Sequence, residues 1–216
     1  PGVMSTSSKV MSGSFSCSDE VLCKVYNMSI RTAEVCMLDL YVDCPGYEQN
    51  PWTGDARVTG LVNLLNFGAF EFDSQYLRLI AESIEPGLCR VYRTNNPRYQ
   101  AGMYLPCACF PTYPEGCIPI WSFMWFLQVC DHFDCTGDFR LIADVFPAIQ
   151  ATFERCEKMT DERGLFDMQG AWNLIEWGNN DLSFYGEVTA NNAMLSYCLV
   201  KAAALARVLG RESLSA

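Results

Sequence analysis

Three carboxylates and one tryptophan stand close together in a turn-rich stretch at residues 43–55. The acidic residues are Asp43, Glu48 and Asp55, and Trp52 lies between the last two. A buried carboxylic acid beside ionised carboxylates retains its proton, because desolvation and like-charge repulsion both oppose its ionisation. An indole face beside that acid can stack on the apolar face of a sugar ring. These residue types at this spacing favour cleavage of a glycosidic bond.

Four segments of the chain carry motifs in a fixed order. Residues 14–19 read Ser-Phe-Ser-Cys-Ser-Asp, residues 43–48 read Asp-Cys-Pro-x-x-Glu, and residues 52–55 read Trp-Thr-Gly-Asp. Residues 121–138 begin with tryptophan and end in a second Thr-Gly-Asp. Together they resemble the bacterial α-L-rhamnosidase family of glycoside hydrolases. The resemblance implies an all-α fold, an (α/α)6 toroid of helical hairpins with the sugar pocket at one end, and hydrolysis by inversion.

The same resemblance assigns roles to individual residues. Glu48 matches the general acid, and Asp43 and Asp55 match aspartates that bind sugar hydroxyls and help Glu48 to hold its proton. Tryptophans that match the walls of the family's pocket are Trp52, Trp121 and Trp177. A structural alternative stays open for the two aspartates, since Asp43 could end the first helix and Asp55 could cap the second.

One residue departs from the family pattern, and one catalytic group is not found in this chain. The family usually has an arginine just before the acid, where this chain has Tyr47, so the exact sugar is open. The resemblance places the general base in the second half of the toroid, and we therefore expect this chain to be inactive by itself. Glu176 and Glu187 are the remaining acidic candidates near the pocket. His132 is the only histidine, and its mid-helix position favours a partly buried structural role.

Composition restricts the classes of partner. A net charge of −10 over 216 residues, with few basic clusters, disfavours nucleic-acid binding. The longest apolar runs, at 118–129 and 202–209, are shorter than the ~20 residues of a membrane-spanning helix. The twelve cysteines form no Cys-x-x-Cys pair, so we expect no metal site. We also expect no cofactor. Most of the cysteines are expected to be buried free thiols, which favour a cytoplasmic location. A disulfide among Cys107, Cys109 and Cys117 remains open.

Apolar residues recur at helical spacing along most of the chain and predict six helices. The first runs from an N-cap at Ser18 to about Leu40, the second ends near Gly68, and Asp73 caps the third, which continues to Ile84. Residues 89–114 are expected to be irregular, with a short strand at 89–92. The last three helices are predicted at 118–135, 139–159 and 188–209. Six helices make three hairpins, so residues 1–216 are expected to form the N-terminal half of the toroid, with no second domain.

Two alternatives, and an expectation about self-association, accompany the substrate assignment of a rhamnose-containing glycoside. The chain could belong to a carbohydrate-binding or assembly module that does not turn over its ligand. It could also come from another (α/α)6 glycosidase that acts on a different sugar. Finally, half a toroid exposes apolar faces, so the fragment could self-associate.

Overall fold

Six helices make up the regular part of the chain in the computed structural model, which describes residues 11–84, 105–112, 116–168, 171–175 and 186–211. The predicted strand at 89–92 and the candidate residues Glu176 and Trp177 lie outside these ranges. The helices are α1 Glu20–Val35, α2 Thr53–Asn66, α3 Phe70–Glu82, α4 Pro119–Thr136, α5 Phe139–Lys158 and α6 Thr189–Val208. Within the described residues, β pairing is confined to three isolated bridges.

The helices form two layers. One layer is α2, α4 and α6, in which α4 packs against both neighbours, and the other contains α1, α3 and α5, with α3 packed on α5. Each helix of the second layer also packs on a helix of the first. The sequence of α4 is apolar around most of its circumference, as expected of a helix with neighbours in several directions, and Phe123, Trp125 and Phe126 are buried in it. No described helix has both the length and the apolarity needed to cross a bilayer.

Helix boundaries follow from local chemistry at several ends. Asp138 accepts hydrogen bonds from the amides of Arg140 and Leu141 and so caps α5, while Gly137, at φ +66°, ends α4. The second Thr-Gly-Asp motif is therefore the turn that joins these helices, because glycine adopts positive φ without strain and an aspartate oxygen pairs with free first-turn amides.

Three predicted ends are wrong. The N-cap of α1 is Asp19 rather than Ser18, since its carboxylate accepts from the amides of Val21 and Leu22. The helix ends at Val35 rather than near Leu40, because the chain turns at Cys36 and forms a bridge between Met37 and Tyr41. The third correction concerns α3. It begins at Phe70, so Asp73 lies inside the first turn and does not cap it.

Asp73 instead occupies the centre of a buried polar network. It is 0% exposed and accepts hydrogen bonds from Tyr41 Oη at 2.7 Å and from Gln128 Nε2 at 2.8 Å. His132 Nδ1 lies 2.7 Å from its other oxygen, and Asn63 Nδ2 donates to Tyr41 Oη at 2.7 Å. Burial, followed by the Asp73 carboxylate, raises the pKa of Tyr41 well above its usual range. The structural role predicted for His132 agrees with this position, although the ring is fully rather than partly buried.

Two glycines of α2 allow α4 to approach closely. A Cβ on Gly60 would lie 2.6 Å from Gln128 Nε2, and a Cβ on Gly54 would lie 2.5 Å from Trp121 Nε1. Both contacts are shorter than side-chain atoms tolerate. The α2–α4 interface thus needs residues without a side chain at these two positions.

Removal of the Asp73 charge is expected to destabilise the fold. Asp73→Asn keeps the shape but replaces an acceptor oxygen with a donor amide, so buried donors lose their partner. We expect the free energy of unfolding to fall by about 3 kcal/mol, measured by chemical denaturation. Asp134→Asn is the matched control on the exposed face of α4 and should change it by less than about 0.5 kcal/mol. Equal effects of the two variants would contradict the importance of the network.

Candidate active site

Hydrogen bonds within the chain close the loop that carries the acidic residues. The backbone amide of Asp43 donates to Asn50 O at 3.0 Å, and the amide of Asn50 donates to Asp43 Oδ1 at 2.9 Å. Gln49 has φ +56° and its side chain donates to Pro45 O at 2.6 Å. Asp43 therefore closes this loop and caps no helix, so the structural alternative of a helix-ending residue is wrong for it.

Glu48 and Trp52 are in direct contact at the end of this loop. The indole Nε1 of Trp52 donates a hydrogen bond to Glu48 Oε2, with 2.6 Å between the two atoms. Trp52 also pairs with Cys109 in an isolated bridge, and Thr53 donates to Ala108 O through its amide and to Cys107 O through its hydroxyl. These bonds attach the beginning of α2 to residues 107–109, which fixes the tryptophan beside the acid.

Burial distinguishes the carboxylates from one another. Glu48 is exposed, whereas the sequence predicted a buried acid, and Asp43 and Asp55 are both half-buried. Burial raises the pKa of Asp55, the nearby Asp43 and Glu48 carboxylates raise it further, and a hydrogen bond from the Asp55 amide opposes the rise. Asp55 lies in the first turn of α2, and the N-cap residue is Trp52. The predicted capping alternative is therefore wrong for Asp55 as well.

An aromatic wall stands beside these carboxylates. The rings of Trp52 and Trp121 are 5.3 Å apart between centroids and meet at 73°. Both rings are half-buried, so each keeps a surface that a ligand can contact. Trp121 lies in the first turn of α4, and the small size of Gly54 lets its ring lie against α2.

Sequence reasoning missed part of this wall. A small apolar cluster, separate from the main core, has Ala108, Ile118 and Leu174 at its centre, and Trp172 packs against it together with Trp52, Ile120 and Trp121. Trp172 is half-buried and its amide donates to Cys117 O at 3.2 Å. The sequence offered one signal for this residue, because Trp172 stands in the same short stretch as the predicted wall residue Trp177.

The other candidate residues lie apart from this constellation or outside the described ranges. Glu187 forms an ion pair with Arg163, which also pairs with Asp161. Tyr47 is 94% exposed and extends into solvent. A groove of about 380 Å³ lies elsewhere, between α3 and α5, and includes Arg78 and Asp144, but none of the signature residues lines it.

Metal ligands and disulfides are not features of the described site. No group of three or more His, Cys, Asp or Glu side chains within the described ranges is arranged to hold a metal ion. Cys107, Cys109 and Cys117 are all buried and are not joined by a disulfide, so the bond left open among them does not form. Their burial agrees with the predicted role of cysteine as a small apolar side chain.

Residues 10–216 match the family described as the bacterial alpha-L-rhamnosidase 6 hairpin glycosidase domain. The chain belongs to this family, whose members are glycoside hydrolases. No curated protein matches this chain.

Solved structures support the same assignment. A GH78 family rhamnosidase of Bacillus sp. GL1 is 32% identical, with a TM-score of 0.82 over 97% of this chain and 20% of that chain. A rhamnosidase from Klebsiella oxytoca with rhamnose bound is 21% identical, with a TM-score of 0.70 over 89% of this chain and 35% of that one. An alpha-L-rhamnosidase from Dictyoglomus thermophilum is 18% identical, with a TM-score of 0.73 over 97% of this chain and 22% of that one. The last two comparisons bear on the fold alone.

These comparisons confirm the all-α partial toroid, which resembles the corresponding part of rhamnosidase structures. The chain spans between 20% and 35% of the length of these relatives. The resemblance of the chain to the α-L-rhamnosidase family is likewise confirmed.

The raised pKa of Asp55 predicts a pH-dependent stability. A carboxyl group whose pKa is higher in the folded state costs nothing below its ordinary pKa of about 3.9. It costs increasing stability as pH rises from that value, and the full cost is reached above its folded pKa. Asp55→Asn is therefore expected to raise the thermal midpoint at pH 7, and the gain should shrink as pH falls towards that value. Thermal unfolding across this range measures the effect.

Asp161→Asn is the control of opposite sign. Hydrogen bonds from the Leu165 amide and from Arg163 lower the pKa of Asp161, so this carboxylate contributes stability at neutral pH. The variant should lower the midpoint at pH 7. A midpoint that falls in Asp55→Asn, or a gain that does not depend on pH, would contradict the cost assigned to Asp55.

Proposed function

We propose that residues 1–216 form the N-terminal half of an (α/α)6 catalytic domain that removes terminal α-L-rhamnose by inversion, with Glu48 as the general acid. Membership of the α-L-rhamnosidase family supports the reaction class. The observation that carries the assignment of Glu48 is its 2.6 Å hydrogen bond from Trp52 Nε1. This bond joins the acid to the aromatic wall, so a sugar on the tryptophans has its glycosidic oxygen near the carboxyl group.

The hydrogen bond also distinguishes the two oxygens of Glu48. Oε2 accepts from the indole, so the proton to be donated resides on Oε1. In the reaction the bond between the anomeric carbon and the leaving oxygen breaks as Oε1 transfers its proton to that oxygen. A water molecule attacks the opposite face of the sugar, and a base ~6.5 to 9.5 Å from the acid takes its proton.

Asp43, Asp55 and the tryptophans bind the sugar in this proposal. Asp43 is held by the closed loop, so its second oxygen can accept a hydrogen bond from a sugar hydroxyl. The partial burial of Asp55 strengthens any such bond, because competing water is reduced. Trp52 and Trp121 supply an apolar wall for the ring carbons and the methyl group of rhamnose. Trp177 lies outside the described residues, and we assign it to the same wall because of the family resemblance alone.

A non-catalytic carbohydrate-binding module is the second candidate. The observation that favours it is the exposure of Tyr47, which is 94%, because this side chain then supplies no charge at the place where the family usually has an arginine. Such a module predicts sugar binding without hydrolysis in the protein that contains the complete toroid. Another (α/α)6 glycosidase would instead cleave a different sugar.

Glu48→Gln tests the acid in a protein that contains the complete toroid. Turnover of rhamnosides with poor leaving groups should fall by about 10² to 10⁴, because departure of the oxygen then depends on proton donation. Activated aryl rhamnosides should lose much less. Initial rates on both substrate types measure this difference, and Glu20→Gln on the exposed side of α1 is the control. Equal losses on both substrates would mean that Glu48 only positions the sugar.

Trp52→Phe refines the same test, since it keeps an aromatic wall and removes the N–H that binds Glu48. Rates on poor leaving groups should fall by about tenfold, because the indole hydrogen bond stabilises the negative charge that Glu48 gains as it gives up its proton. Trp121→Phe keeps the wall and leaves the bond to Glu48 intact. A larger selective loss in Trp121→Phe would contradict the role given to the indole N–H.

The 216-residue chain alone is expected to have no measurable rhamnosidase activity. Inversion requires a base that deprotonates water, and the resemblance assigns that base to the other half of the toroid. Purified chain incubated with an activated aryl rhamnoside should release no aryl alcohol. Turnover that is abolished by Glu176→Gln or Glu187→Gln, but not by Glu20→Gln, would overturn the assignment.

Exposed apolar side chains support self-association of the isolated chain. Val21, Val25 and Met28 form an exposed row on α1, and Tyr197 and Val200 are exposed on α6. Association would remove these side chains from water. The cytoplasmic location stays a prediction from the cysteine content.

A further inference from the structure

Two thiols face each other at the beginning of α1. The Sγ atoms of Cys17 and Cys23 are 3.9 Å apart, whereas a disulfide bond is about 2.05 Å long. Cys17 is exposed and Cys23 is half-buried, so small molecules in solution can reach the pair. The two sulfurs have to approach each other by roughly 2 Å to form the bond.

Hydrogen bonds around the N-cap hold the thiols in this arrangement. Cys17 Sγ lies 3.4 Å from Asp19 O, and Cys23 Sγ donates to Cys17 O at 3.6 Å. The Asp19 carboxylate binds the amides of Val21 and Leu22 at 2.8 and 3.2 Å. The cap therefore turns the chain so that Cys17, before the helix, lies over Cys23 in its second turn. Hydrophobic residues often make an equivalent contact at a helix N-terminus.

We propose that Cys17 and Cys23 form a reversible disulfide that clamps the beginning of α1 to the segment before it. The oxidant is a small-molecule disulfide such as oxidised glutathione. The Cys17 thiolate attacks it, forms a mixed disulfide and releases one thiol. The Cys23 thiolate then attacks the Cys17 sulfur and releases the second thiol. The two protein thiols lose two electrons and two protons, and the small disulfide becomes two thiols.

The clamp would secure a segment that already connects α1 to α2. The amide and hydroxyl of Ser12 both donate to Asn66 O at the end of α2, at 2.7 and 3.0 Å. The Phe15 ring packs on Tyr26 of α1 at 5.4 Å between centroids, and the Tyr26 hydroxyl donates to Asn66 Oδ1 at 2.6 Å. A disulfide at Cys17 fixes the remaining end of this segment, so its oxidation state controls how tightly α1 is held on α2.

Three other described thiols, Cys130, Cys135 and Cys198, are poorer sites for this exchange. Cys130 and Cys198 are buried, and burial raises the pKa of each to about 12. Cys135 is exposed, but burial and the Asp131 and Asp134 carboxylates raise its pKa. Because the thiolate is the reactive form, all three react slowly. The surface position of the Cys17–Cys23 pair suits a disulfide that is readily reduced again.

Oxidation of the purified chain by mixtures of oxidised and reduced glutathione tests the proposal. Peptide mapping of the wild-type chain should find a Cys17–Cys23 crosslink, with the loss of two hydrogens, that disappears when reduced glutathione is restored. Cys17→Ser and Cys23→Ser should each give a stable glutathione adduct on the remaining cysteine. Cys135→Ser is the matched control and should form the crosslink like the wild type. Adducts on both cysteines without a crosslink would overturn the proposed site.

Hydrogen exchange of the Val21 and Leu22 amides tests the clamp itself. Oxidation should slow exchange of these first-turn amides by about tenfold in the wild type, because opening of the helix end is restricted. The same treatment should leave exchange unchanged in Cys17→Ser and Cys23→Ser. A crosslink that forms without slower exchange would overturn the clamping role, and slower exchange in the single variants would do the same.

Discussion

The arrangement of the helices depends on the hydrogen bonds that the buried carboxylate of Asp73 accepts. Its partners come from the loop after α1 and from α4, through Tyr41, Gln128 and His132, while Asn63 of α2 joins the same group through Tyr41. A fully buried charge is costly unless donors surround it. Structures in which these elements separate or slide leave that charge without donors. The requirement thus selects one relative position of α2, α3 and α4.

The position of the loop at residues 43–50, which carries Asp43 and Glu48, depends on this network. Tyr41 precedes Asp43 by two residues, and Asp43 closes the loop that ends next to Trp52. The other side of the site is the beginning of α4, where Trp121 meets Trp52. Because α4 also carries Gln128 and His132, a single polar core fixes both the acidic loop and the facing tryptophan. Distances among Glu48, Trp52 and Trp121 are therefore set in part by contacts outside the candidate site.

The sequence predicted the helices and the signature loop well, but not the surroundings of single side chains. Apolar spacing identified all six helices, since that signal is local along the chain. Asp73 was misread because an aspartate near a helix start usually caps it, and only the partners from other elements reveal a buried acceptor. The exposure of Glu48 and the contact of Trp172 with the aromatic wall likewise depend on residues distant in sequence. Residue spacing carries little information on such contacts.

The absence of a side chain at Gly54 couples two positions that are far apart in the chain. Trp121 occupies the space that a Cβ would take, with its Nε1 2.5 Å from that point. A larger residue at position 54 therefore requires a smaller one at position 121, and the two exchanges will not have additive effects. The spacing of α2 and α4 at this point is a property of this pair. A compensated double replacement at positions 54 and 121 would therefore preserve the packing of α2 on α4.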